Sequence, residues 1–177
     1  MFGFLKPKLA PGGPVELRFD VVIEKAVEEV YALVDWADPH NAKRELGDHV
    51  SKVEGAPDRF RMILNELPDH VFEISVSEEM PHASYGFTSE IAPPIGRLVR
   101  AHELYSFEPL SAGSCRVTLV TTATFVGALP VKQYALEIQT MTVACVSAMA
   151  KLKIHAEEGV EAVRAGLTDR PSARSCP

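Results

Sequence analysis

The chain has 177 residues, 46% of them hydrophobic and 24% charged, which is the size and balance of one ordinary folded domain and leaves no room for a second. A net charge of −6 argues against a nucleic-acid binder, which needs a clustered positive face. No run approaches the ~20 apolar residues of a membrane span, and Cys115, Cys145 and Cys176 have no disulfide-framework or CxxC spacing, so a reducing, cytoplasmic location is expected. The opening MFGFLKPKLAPGGP lacks the apolar core of a signal peptide. Residues 1–13 are read as a flexible lead, 14–160 as a single domain, and 161–177 as a helix end with a disordered tail.

Val15, Leu17, Phe19, Val21 and Ile23 alternate with mostly polar residues, the pattern of a half-buried strand. Val27, Val30, Tyr31 and Val34 follow at i, i+3, i+4 and i+7, one face of a short helix. A second short helix with irregular ends is expected within Asp35–Asp48. A strand is expected around His49–Glu54. Turn signals at Gly55–Asp58, Leu67–His70, Met80–His82, Ala92–Gly96 and Ser111–Ser114 then separate five strand-length segments, Arg59–Glu66, Val71–Glu78, Ala83–Ile91, Arg97–Glu108 and Cys115–Val126. Strands joined by short turns form an antiparallel meander. About seven strands result.

Pro130 suits the first turn of a helix, and neither proline nor glycine interrupts the chain from there to Glu158. Gln133, Glu137, Thr140, Ala144, Ser147 and Lys151 form a stripe that can face water. Val131, Ala135, Ile138, Thr142, Cys145, Met149 and Leu152 lie opposite, inside a broad apolar arc. At 1.5 Å per residue the helix is roughly 40 Å long, enough to cross a sheet.

Strand, two short helices, antiparallel meander and long carboxy-terminal helix is an order that resembles the helix-grip fold of the SRPBCC superfamily, which includes START, birch-pollen-allergen-like and polyketide cyclase/dehydrase-like proteins. The residues carrying the likeness are Val21-Val-Ile-Glu-Lys-Ala-Val-Glu-Glu-Val-Tyr-Ala-Leu-Val-Asp35 and the hairpin Leu104-Tyr-Ser-Phe-Glu-Pro109 with Gly113-Ser-Cys-Arg-Val-Thr118. The resemblance implies an α+β fold whose curved sheet grips the last helix around a cavity, and a hydrophobic small molecule or lipid as the partner. The walls expected for such a ligand are Trp36, Met62, Phe72, Tyr85, Phe87, Tyr105, Ile138, Met141, Thr142, Cys145 and Met149. Thr142 has a competing role, back-bonding to its own helix.

His40, His49, His70, His82, His102 and His155 make no HxH or HxxxH pair, so neither a metal nor another cofactor is expected. Segment 97–108 carries Val99, Ala101, Glu103, Tyr105 and Phe107 on one strand face and Leu98, Arg100, His102 and Leu104 on the other. Periodicity leaves open which face points inward. Glu103 with Tyr105, or His102 with Arg100, are the candidates for binding a polar group or moving a proton. Cys145, among apolar neighbours, is expected to be inert as a nucleophile. Three functions compete: binding of a hydrophobic molecule, a polyketide cyclase/dehydratase-like reaction, and a protein-interaction or co-chaperone-like role, with the chain a monomer or homodimer.

Overall fold

The computed structural model describes residues 7–10 and 13–168. Seven strands, β1 (Val15–Ile23), β2 (His49–Lys52), β3 (Arg59–Leu64), β4 (Leu67–Met80), β5 (Ser84–Ile95), β6 (Leu98–Ser111) and β7 (Ser114–Phe125), form one curved antiparallel sheet in the order β1-β7-β6-β5-β4-β3-β2. Helices α1 (Val27–Val34) and α2 (Ala42–Glu45) follow β1, and α3 (Val131–Glu158) and α4 (Val160–Thr168) end the described chain. The first strand pairs with the last, Leu17 opposite Thr121 and Phe19 opposite Leu119. This non-local step places β1 next to the segment that leads into α3.

Two expected turns lie inside strands. Leu67–His70 belongs to β4, and the tight turn is at Asn65-Glu66, with the Asn65 amide donating to Asp48 Oδ1 (3.0 Å). Ala92–Ile95 continues β5 across a register irregularity between Glu90 and Ile95. Prolines are tolerated at such places because strand ends and bulges leave backbone N–H positions unpaired. The chain turns instead at Gly96, whose φ of +58° suits glycine, and where a Cβ would come within 3.0 Å of Glu137 Oε2.

Val27, Val30, Tyr31 and Val34 are all buried, as their spacing predicts. The second helix is only four residues long. Its cap, Asn41, is 2% exposed. Asn41 accepts from the Lys43 amide (3.0 Å) and donates to the carbonyls of Val34 (3.2 Å) and Asp35 (3.0 Å), tying α2 to the end of α1.

The long helix has the expected length, but its burial is uneven. Cys145, Met149, Leu152 and His155 are buried, and no residue from Val131 to Ala144 is. Val131 and Ala135, expected inward, are exposed, as are Leu136, Val143 and Val146. The amino-terminal half is only partly covered, through residues such as Tyr134 against Phe125 and Met141 against the core, so periodicity overstates its burial. Gly159, with φ 91°, ends α3, and a separate helix, α4, follows over the segment read as the helix end. Residues 169–177 lie outside the described residues. At the other end Leu9 bridges to Pro130, and the Val131 amide donates to Lys8 O (3.0 Å). Part of the lead therefore docks on the start of α3.

Replacing Asn41 with alanine removes a donor from the buried Val34 carbonyl and from the Asp35 carbonyl, which keeps the Asp38 amide, and an acceptor from the Lys43 amide. The Asn41→Ala variant is expected to lose about 2–3 kcal/mol of unfolding free energy in urea denaturation; an unchanged midpoint would show that the cap contributes nothing.

Candidate functional site beneath the long helix

The pleat of three adjacent strands sets the site. Val76, Phe87, Glu103, Thr121 and Leu17 lie opposite one another across β4, β5, β6, β7 and β1, and Tyr85, Tyr105, Leu119 and Phe19 form the next inward row. Ala101, Tyr105 and Phe107 are buried, which fixes this face of β6 as the one turned to the helices. Glu103 shares that face because side chains two residues apart on a strand point the same way. His102 points to the other face, where its Nε2 meets Ser77 Oγ at 3.3 Å, and Arg100 pairs there with Glu90. The pleat thus separates His102 from Glu103 and Tyr105.

Tyr105 Oη donates to Glu103 Oε2 at 3.1 Å. Above the same row, Cys145 Sγ of α3 donates to Thr121 Oγ1 at 3.6 Å, and Thr121 is fully buried. Four polar side chains from β6, β7 and α3 therefore converge within an otherwise apolar surface. Burial pushes the Glu103 carboxyl above its ordinary range, opposed by the Tyr105 hydrogen bond and then by the positive charge of Lys43 on α2. Burial likewise raises the Tyr105 hydroxyl, and the adjacent Glu103 charge raises it further. The Cys145 thiol is pushed up by burial too, which keeps it protonated and unreactive.

The walls are aromatic. Phe87 stacks on Tyr105 (centroids 6.3 Å, planes 17° apart) and meets Trp36 edge-on at 5.3 Å. Tyr85 Oη accepts from the Trp36 amide at 3.0 Å, whereas the buried Trp36 Nε1 has no partner among the described residues. Met62, Phe72, Cys145 and Met149 belong to the same buried cluster, with Met141 packed at its border. Ile138, seven residues before Cys145, is on the same side of α3 and half-buried. Thr142 stands apart. Its Oγ1 donates to Ile138 O (2.8 Å), and it lines a groove between α3 and α4.

That groove measures about 390 Å³, and a second hollow of about 130 Å³ is lined by Pro14, Phe125 and Tyr134 among others. Neither includes Glu103. Phe87, Tyr105 and Thr121 are buried around Glu103, and Glu103 itself is half-buried.

Thr121 and Lys43 were not among the expected site residues. A signal for Thr121 exists: it interrupts the apolar series Val117, Leu119, Ala123 at alternate positions of β7. Nothing local marks Lys43, whose proximity depends on where α2 lands. No group of three or more His, Cys, Asp or Glu suited to a metal ion occurs among the described residues. No described helix is long and apolar enough to cross a membrane.

No family model matches the sequence, and no curated protein matches it. Solved structures do match. The di-domain ARO/CYC protein BexL of the BE-7585A biosynthetic pathway is 24% identical with a TM-score of 0.65, over 78% of this chain and 45% of BexL. DynU16 from the dynemicin biosynthetic locus is 18% identical with a TM-score of 0.58, over 81% of this chain and 48% of DynU16. A START superfamily protein from Mycobacterium smegmatis is 13% identical with a TM-score of 0.50, over 79% of this chain and 99% of that protein. The chain adopts the helix-grip fold that these structures share. It spans less than half the length of BexL and of DynU16.

Because the folded protein holds the Glu103 proton above the ordinary value of 4.5, the stability linked to this group is complete below that value and is lost as pH climbs through the raised one. Glutamine at this position has no proton to lose. The stability of Glu103→Gln relative to the unaltered protein is therefore expected to rise between about pH 4 and about pH 7, measured by thermal unfolding at both. Tyr105→Phe removes the bond that favours the carboxylate and should move the Glu103 midpoint further up in a carbon-13 titration. A midpoint at the ordinary carboxylate value in both proteins would contradict the assigned burial.

Proposed function

We propose that this protein binds a hydrophobic small molecule or lipid on the concave face of the sheet beneath the amino-terminal half of α3. In this reading Glu103 and Tyr105 receive the polar group of the guest. The observation that carries the proposal is an inward-facing carboxyl, Glu103, bonded to the Tyr105 hydroxyl inside an aromatic and aliphatic surround, beside a helix segment with no fully buried residue. Ligand sites have that composition, apolar walls with a few oriented polar groups. With Glu103 protonated, the Glu103–Tyr105 pair keeps one proton in its mutual hydrogen bond and has one left to donate, and the unpartnered Trp36 Nε1 adds a second donor in the adjoining wall. Such a set favours a guest bearing carbonyl or hydroxyl oxygens at one end. The likeness to START and ARO/CYC proteins supports the same reading.

A second reading has its own observation. A carboxyl raised by burial and bonded to a phenol at 3.1 Å is suited to proton transfer. On a polyketide-like substrate this pair would serve a cyclase/dehydratase-like reaction. Turnover of a poly-carbonyl substrate that falls at least about 100-fold in Glu103→Gln favours the enzyme; binding without turnover favours the carrier.

Native mass spectrometry and solvent extraction of the purified full chain, followed by a thermal-shift panel of hydrophobic compounds, test the proposal. A guest at 100 times its Kd adds about 2.7 kcal/mol, or roughly 5–10 °C for a domain of this size. Met141→Trp, which fills the space beneath α3, is expected to abolish the shift while leaving the circular dichroism spectrum intact. The reading fails if nothing co-purifies, no compound raises Tm, and Met141→Trp behaves like the unaltered protein.

A further inference from the structure

Two tyrosine hydroxyls and two carboxylates converge where α1 meets the end of the β4–β5 hairpin. Glu79 lies directly opposite Tyr85 in the sheet register, so its side chain shares the inward face with Tyr85 and Tyr105. Asp35 caps the carboxy terminus of α1 one turn after Tyr31, and its amide donates to the Tyr31 carbonyl at 3.0 Å. The Tyr31 ring meets Tyr85 edge-on at 5.7 Å and His82 edge-on at 5.5 Å.

Tyr31 is only 7% exposed, and its buried hydroxyl has no hydrogen-bond partner among the described residues. Leaving such a group unpaired inside a protein is costly. Burial, then the charges of Glu79 and Asp35, raise this hydroxyl to about 12. Burial also raises the Tyr85 hydroxyl, opposed by the Trp36 amide and reinforced by Asp35 and Glu79. Both hydroxyls therefore lie within electrostatic reach of both carboxylates. Neither Asp35 nor Glu79 belongs to an ion pair among the described residues.

We propose that this corner binds an organic ammonium group, which donates its N–H bonds to Tyr31 Oη and to the carboxylates of Glu79 and Asp35. Two uncompensated carboxylates call for a positive charge, and the aromatic walls suit an alkyl-bearing one. A calcium or magnesium ion takes six or more oxygen ligands, more than the corner supplies. A quaternary ammonium has no N–H and leaves the Tyr31 hydroxyl unpaired. Access requires only exposed side chains to rotate: Glu79 and His82 are both exposed. The corner is one row of the sheet away from Glu103 and does not rest on a guest being bound there.

Nuclear magnetic resonance of the full chain tests this, read at the Tyr31 ring and the Glu79 carboxyl. The probe is n-butylammonium chloride, with sodium chloride at equal ionic strength as the reference. Saturable shifts with a Kd on the order of a millimolar are expected for so small a probe. Tetramethylammonium should bind at least about 10-fold more weakly, and so should n-butylammonium to Glu79→Gln, an exposed substitution. Tyr31→Phe should also weaken binding, yet without amine its Tm should rise by ~2–4 °C because an unpaired buried hydroxyl is gone. Nα-acetyl-lysine amide, titrated in parallel, distinguishes the sources of the group: affinity equal to that of n-butylammonium assigns the corner to lysine side chains, and no binding assigns it to small free amines. The inference is overturned if sodium chloride reproduces the shifts, if tetramethylammonium binds equally well, or if Glu79→Gln leaves the Kd unchanged. A Tyr31→Phe variant that loses stability overturns it too, since the hydroxyl then has a fixed partner such as water.

Discussion

The architecture depends on how α3 is attached to the sheet, and the attachment is at one end. Lys153 Nζ donates to the carbonyl of Val22 at 2.7 Å and to Glu157 Oε1 at 2.6 Å, and Glu157 accepts the Glu24 amide at 2.7 Å. These contacts fasten the last turns of α3 to the exit of β1. The Glu24 amide, followed by the Lys153 bond, holds the Glu157 carboxyl below the usual carboxylate range. Nearby, buried His155 bonds Glu45 of α2 through Nε2 at 2.7 Å. The far half of the helix is held more lightly, by the 3.4 Å contact of Glu137 with the Arg97 amide and by the docked residues 8–10. A helix fastened mainly at its carboxy-terminal end differs in how deeply its two halves are buried without breaking its own hydrogen bonds.

That geometry explains why a carboxyl survives in this part of the core. Glu103 fully sealed under α3 would face a large desolvation penalty with little to offset it. Its surroundings reduce the penalty in two ways, the Tyr105 hydroxyl and the Lys43 charge. Each compensates only in part, so the carboxyl stays above its ordinary range.

α3 also carries apolar residues on two faces. Cys145, Met149 and Leu152 face the sheet, while Leu136, Val143 and Val146 face outward on the other side of the same turns. The broad apolar arc in the sequence is thus the sum of two surfaces separated by the helix. A helix that covered only a core would carry charge on its outer side, as surface helices generally do.

Much of the fold is legible from local pattern alone. Alternation defines β1 and β7, the 3–4 spacing defines α1, and the uninterrupted stretch after Pro130 defines α3, because side-chain periodicity follows directly from backbone geometry. The likeness to helix-grip proteins rests on the order of those elements. Proline-rich segments mislead at Leu67–His70 and Ala92–Ile95, since proline marks strand irregularities as readily as turns. The site was legible only by halves: alternation puts Glu103 and Tyr105 together and His102 apart, but does not say which side faces in. That choice, the rows joining Phe87, Glu103 and Thr121, the approach of Cys145 and Lys43, and the depth to which α3 settles were decided by the tertiary structure. Strand register and helix placement depend on packing between residues far apart in sequence, and local periodicity carries no record of it.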